Sequence, residues 1–157
     1  MNIQFSPNAL KEFKSFDTLY DNPKSKLLPT LHLAQKEFGY LSPEVIEYVA
    51  TLTELSPAKV KEVASFYTML HKKPVGKYHI QICTNISCTM MKSRELFSHL
   101  KKKLKIEAGE TTQDKKFTLS TAECLGGCDK APTLRINDTY YYQVTPEKME
   151  QLLKELP

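Results

Sequence analysis

Four cysteines, Cys83, Cys88, Cys124 and Cys128, narrow the choices for this chain more than any other residues. They form two pairs, C-x4-C and C-x3-C, both in the second half of a 157-residue sequence. In a secreted chain they could make two disulfides, with three possible connectivities. The amino terminus, Met1 to Leu10, is polar and has no apolar signal core, which predicts a cytoplasmic chain. Disulfides are rare in that reducing compartment. The cysteines therefore point to a metal or a cluster.

Composition limits the other function classes. Hydrophobic residues make up 41% and charged residues 25%, as in soluble globular proteins of one or two small domains. No apolar run reaches the roughly 20 residues of a membrane span, so no membrane insertion is expected. A net charge of +4 is too modest to imply a nucleic-acid partner. The chain has no G-x-G-x-x-G or Walker A run, so no nucleotide site of its own is expected. No catalytic residue is assigned.

Two architectures follow one another along the chain. Ser6-Pro7, Ser42-Pro43 and Ser56-Pro57 each read as a helix start, because a serine hydroxyl caps an orphan N–H and proline fits the next position. The first helix carries Leu10, Phe13 and Phe16. The second runs through Leu27, Leu28, Leu31, Ala34 and Phe38 to Gly39, with Pro29 expected to delay its start to after Lys26 or to bend it. Val45, Ile46 and Val49 line a third helix, and Val60, Val63, Ala64 and Tyr67 a fourth. The predicted fold is α+β. Residues 1–73 form a small helical bundle with a docking role, and residues 74–157 a thioredoxin-like cluster domain. The polar stretch His71 to Lys77 marks the boundary.

The second half alternates as β-α-β-β-β-α. Strands are predicted at Tyr78 to Cys83, Phe117 to Glu123, Thr133 to Ile136 and Tyr140 to Val144. Helices are predicted at Met91 to Leu104 and after Thr145-Pro146. Parallel pairing in the first βαβ unit and an antiparallel hairpin at Asn137-Asp138 give a four-stranded mixed sheet with flanking helices.

This order puts Cys83 and Cys124 at the carboxyl ends of neighbouring strands, where all four sulfurs can converge. Two of the five glycines, Gly126 and Gly127, lie between Cys124 and Cys128, so backbone can wrap closely there and point N–H groups at sulfur. Cys88, just ahead of a helix, is expected to have its thiolate favoured by the helix dipole. Spacing alone leaves three readings. Zinc usually takes tight C-x2-C knuckles, which neither pair supplies. A [2Fe–2S] core is wider and suits looser loops. Unliganded buried thiols are the bland alternative.

The motifs C-T-N-I-S-C (Cys83 to Cys88) and E-C-L-G-G-C-D-K-A-P (Glu123 to Pro132) resemble those of the thioredoxin-like [2Fe–2S] ferredoxins. The resemblance is strongest to the peripheral two-iron proteins of bacterial respiratory complex I, NADH:quinone oxidoreductase. It extends to L-P-T-L-H-L-A-Q-K-E-F-G-Y-L-S-P (Leu28 to Pro43), V-K-E-V-A-S-F-Y (Val60 to Tyr67) and P-V-G-K-Y (Pro74 to Tyr78). It implies one [2Fe–2S] cluster on Cys83, Cys88, Cys124 and Cys128. FMN and NADH would sit on a partner flavoprotein that passes on single electrons, beside other iron–sulfur subunits. The implied location is the cytoplasmic side of the inner membrane, peripheral through the complex. Equivalent subunits of NAD-linked hydrogenases or formate dehydrogenases are the alternative assembly. A structural zinc-binding interaction module is the alternative of another class. One departure stands out: Thr89-Met90-Met91-Lys92 lacks the glycine that many family members carry there.

Other conspicuous residues have plain readings. His32, His71, His79 and His99 lie outside the cysteine motifs and read as core or surface histidines. Lys101, Lys102, Lys103 and Lys105 read as a solvated helix end, with an acidic partner surface as the alternative. Among Tyr140, Tyr141 and Tyr142 at most two can share a strand face, which suggests a hairpin with an exposed tyrosine. Asp129 and Lys130 are expected near the cluster rim.

Overall fold

A computed structural model describes residues 3–156. The chain divides after Pro74 into two compact units, one helical and one built on a sheet.

In the helical unit, α1 (Pro7–Ser15), α2 (Pro23–Phe38), α3 (Pro43–Thr53) and α4 (Pro57–Phe66) all begin with proline. Ser6, Ser42 and Ser56 accept the N–H groups of Ala9, Val45 and Lys59, each at 3.3 Å. Asn22-Pro23 repeats the device with an amide: Asn22 Oδ1 accepts from Ser25 N–H at 3.0 Å. That cap corrects the expected start of α2, which begins before Lys26 and keeps Pro29 inside it. Gly39 closes α2 at φ 82°, its N–H bonded to Gln35 O. Leu31, Ala34, Val45, Val49 and Val60 form the centre of a buried cluster, flanked by the rings of Phe5, Phe38 and Tyr48. The Gln35 side chain donates to Met69 O and tethers the segment after α4 to α2.

The second unit holds β1 (Tyr78–Cys83), β2 (Phe117–Ala122), β3 (Leu134–Ile136) and β4 (Thr139–Tyr141) in the order β2-β1-β3-β4. β1 and β2 are parallel, with Cys83 opposite Ala122. β3 runs antiparallel to both β1 and β4. The β3–β4 turn is Asn137-Asp138, with Asn137 left-handed at φ 51°. This is the predicted four-stranded mixed sheet.

Central β1 is buried on both faces. Ile80 and Ile82 pack into a core with Leu96, Leu100, Leu119, Leu134 and Met149. On the other face the buried polar groups are paired: His79 Nε2 lies 2.7 Å from Ser120 Oγ, and Gln81 Oε1 accepts from Arg135 Nε at 3.0 Å.

Several element boundaries differ from expectation: β2 stops at Ala122 rather than Glu123, β3 starts at Leu134 rather than Thr133 and β4 at Thr139 rather than Tyr140. The helix expected over Met91 to Leu104 starts two residues later as α6 (Ser93–Leu104), and a short helix that was not expected, α5 (Ile86–Met90), precedes it, with Lys92 between them at φ 68°. The glycine-free run thus takes a left-handed backbone without a glycine. The last strand ends at Tyr141 rather than Val144, because Gln143 turns left-handed at φ 50° and the chain bonds elsewhere. Gln143 N–H donates to Lys130 O and Val144 N–H to Pro132 O. The final helix, α7 (Pro146–Glu155), is capped by Thr145.

Candidate metal centre

Both cysteine motifs follow strands that end at the same edge of the sheet. Cys83 is the last residue of β1 and is 1% exposed. Thr84 crosses to the neighbouring strand, its N–H donating to Ala122 O at 2.9 Å. The chain then turns at Asn85 into α5, held by Thr89 Oγ1 donating to Thr84 O. This places Cys88 inside α5, also 1% exposed, and its thiol beside that of Cys83.

At Cys88, in the first turn of α5, the expected helix-dipole effect is opposed: burial pushes the thiol up and the adjacent Cys83 thiol adds to this, while Thr133 pulls it back.

The second motif folds across the first. Leu125 and Ala131 pack against Cys83 and Cys88 in one small apolar cluster. Cys124 and Cys128 themselves are exposed. Gly126, left-handed at φ 72°, turns its N–H toward Cys124 Sγ at 3.4 Å. Gly127 is required for a different reason. A Cβ there would lie 2.5 Å from Thr133 Oγ1 and 2.9 Å from Tyr142 Cε1. The loop between the cysteines is thus a cradle closed by threonine and tyrosine side chains. Cys128 opens a single 3₁₀ turn, Cys128–Lys130, in which Lys130 Nζ stands 5.3 Å over the Tyr142 ring.

The structure brings Cys83 and Cys88 side by side and seats the Cys124–Cys128 loop on them. It does not gather three or more ligands for one metal ion: among the described residues no such group of His, Cys, Asp or Glu exists. The histidines take other partners. His79 faces Ser120, and His99 pairs with Glu150 at 3.0 Å. Lys103 also binds Glu150, and Lys101 pairs with Glu107, so part of the lysine run is engaged in ion pairs.

Several residues at the site were not legible as such. Thr133 carries no motif, yet it touches both cysteine loops. Tyr142 stacks on Tyr140 with centroids 6.4 Å apart and leans over Gly127. Ile86, Met90 and Met91 are strongly exposed around α5, where a helix-period reading would have buried some of them. The only sequence signal for this group was its position next to a cysteine.

Comparison with known proteins places this geometry. Residues 13–157 match the family described as thioredoxin-like [2Fe-2S] ferredoxin. The chain is 49% identical over 155 residues to the NADH-quinone oxidoreductase E subunit of Rickettsia felis, covering 98% of this chain and 90% of that protein. The second E subunit of the same enzyme in Rhizobium meliloti is 40% identical over 144 residues, covering 92% and 86%. Among solved structures, an NAD+-reducing [NiFe]-hydrogenase in the H2-reduced state superposes on 83% of this chain with a TM-score of 0.72. At 24% identity, and with this chain spanning 22% of the hydrogenase chain, that likeness is one of fold. Two cysteine loops on a mixed four-stranded sheet and a family match over most of the sequence lead to one assignment: the chain belongs to the thioredoxin-like [2Fe–2S] ferredoxins.

Proposed function

We propose that Cys83, Cys88, Cys124 and Cys128 hold one [2Fe–2S] cluster, and that the chain is the electron-transfer iron–sulfur subunit of an NADH:quinone oxidoreductase. The observation carrying this reading is the donor set itself. Two neighbouring thiols sit at the end of β1, and a second cysteine pair lies in a loop that packs on them through Leu125 and Ala131. Two thiolates per iron is the ligand pattern of a two-iron core, whereas a structural zinc ion asks for four ligands around one centre. The close packing at Gly127, which leaves no room for a side chain at that position, holds the second pair's loop tightly in place.

When bound, the cluster supplies a site that accepts and releases one electron. The chain's own groups govern how readily that happens. The Gly126 N–H on Cys124 stabilises negative charge on sulfur. Burial of Cys83 and Cys88 excludes water from one side, and exposure of Cys124 and Cys128 leaves the other side accessible. On this reading the electron donor is the FMN of a partner flavoprotein that oxidises NADH. Near-full-length likeness to NADH-quinone oxidoreductase proteins favours that assembly over a hydrogenase or formate dehydrogenase. The helical unit serves as a docking domain for the flavoprotein and the other iron–sulfur subunits. The complex would hold the chain at the cytoplasmic face of the inner membrane. Among the described residues no helix is long and apolar enough to cross a membrane.

The test is the metal content of anaerobically purified protein, with EPR after reduction. Two irons, two acid-labile sulfides and a rhombic spin-one-half signal are expected, all lost in Cys88→Ser with Cys128→Ser. One zinc and no sulfide, from cells with adequate iron and cluster assembly, would leave an interaction module instead.

A further inference from the structure

Thr133 is a buried residue that reaches both cysteine loops. It is 1% exposed and lies one residue before β3. Its carbonyl accepts the Cys83 N–H at 3.1 Å. Its hydroxyl donates to Gly127 O, in the loop between Cys124 and Cys128, at 2.9 Å. The space this hydroxyl occupies is the space a Cβ on Gly127 would need. A valine, of nearly the same shape, would fill the site, but its side chain could not bond Gly127 O.

We propose that Thr133 is a positioning residue for the cluster: its hydroxyl fixes the Cys124–Cys128 loop against the Cys83–Cys88 pair and sets the electrostatic environment of the sulfurs. The inference rests on the four cysteines being the ligands, as proposed for this site. Its physical basis is that polar groups near the thiolate ligands help set the reduction potential, and the Thr133 hydroxyl offsets the negative end of the Gly127 carbonyl between Cys124 and Cys128. A buried carbonyl robbed of its donor does the opposite and costs more than an exposed one. Loss of the hydroxyl should therefore make the centre harder to reduce. Loss of the Thr133 methyl group should affect packing alone.

The experiment compares wild type, Thr133→Val, Thr133→Ser and Thr133→Ala as full chains purified anaerobically. Iron and sulfide per chain are measured first, then the midpoint potential by an EPR-monitored redox titration. Wild type and Thr133→Ser are expected to share a potential and a set of g values. Thr133→Val and Thr133→Ala are expected at more negative potentials with altered g anisotropy and an undiminished iron content. Serine and alanine differ only in the hydroxyl, so that pair decides the matter if the valine variant does not fold. A potential unchanged on loss of the hydroxyl would overturn the proposal. So would an equal shift in Thr133→Ser and Thr133→Ala, which would assign the effect to the methyl group. A wild-type chain without iron and sulfide would instead remove the cluster reading, and this inference with it.

Discussion

Replacing Gly127 with alanine tests the cradle directly. The residue is buried with φ −109°, a backbone conformation open to any amino acid, so the substitution carries no dihedral strain. The cost is steric. The added carbon would stand 2.5 Å from Thr133 Oγ1, 2.9 Å from Tyr142 Cε1 and 3.1 Å from Thr133 Cγ2. Tyr142 is exposed and can swing outward, but Thr133 is buried and hydrogen-bonded, so the loop must move instead.

Overpacking of this kind costs about 1–3 kcal/mol. The displaced Thr133–Gly127 bond adds roughly 1 kcal/mol. Alanine recovers about 0.4–1 kcal/mol by restricting the unfolded chain. The net expectation is a loss of about 2 kcal/mol, or a fall in Tm on the order of 10 °C for a unit this small. Urea denaturation of metal-free protein, followed by circular dichroism, reads the difference without a contribution from cluster binding. Gly126→Ala is the comparison, since its Cβ would meet nothing within 4 Å but would sit at φ 72°. Its expected cost is the left-handed strain alone, about 1 kcal/mol. A Gly127→Ala protein as stable as wild type, or no less stable than Gly126→Ala, would refute the cradle.

Three further outcomes are expected. Leu31→Ala, at a fully buried position in α2, should destabilise the helical unit by about 2–5 kcal/mol in the same denaturation assay, while an exposed position such as Leu19 should tolerate alanine. Pro29→Ala should stabilise α2 by about 2 kcal/mol, because proline removes an i→i−4 bond inside a continuous helix; a loss of stability would mean that the ring packs in a way alanine cannot replace. The hydrogen bond from Lys103 holds the Glu150 carboxyl below the usual carboxylate range, aided by His99 and opposed by partial desolvation. A lowered folded-state pKa stabilises the protein above the unfolded value and is lost as pH falls through the folded one. Wild type should therefore exceed Glu150→Gln in stability at pH 7, and urea melts should show the gap closing below about pH 4.

Much of the architecture was legible because it is written in local chemistry. Ser-Pro pairs supply a cap and a pre-set φ within two residues, and all three start helices where they stand. The alternation of Tyr78 to Cys83 and Phe117 to Ala122, with a helix between, led to a parallel pair through connection rules rather than through any single contact. The four cysteines and two glycines marked the candidate centre, because few other chemistries bring those residue types together.

Other features depended on groups distant in sequence. Whether a cysteine is buried is decided by what packs on it: Leu125 and Ala131 cover Cys83 and Cys88, whereas Cys124 and Cys128 stay exposed in a motif of similar spacing. Burial in turn opposes the charged form expected at Cys88. The end of β4 was set by bonds from Gln143 and Val144 to Lys130 and Pro132, which compete with the hairpin and which no propensity records. Thr133 became visible only when the two loops met around it. The sequence by itself determined most of the elements and their order, because these rest on capping and periodicity within a few positions. Tertiary structure alone decided which sulfurs are shielded and which backbone groups face them, because desolvation and hydrogen bonding across long separations exist only once the chain has closed on itself.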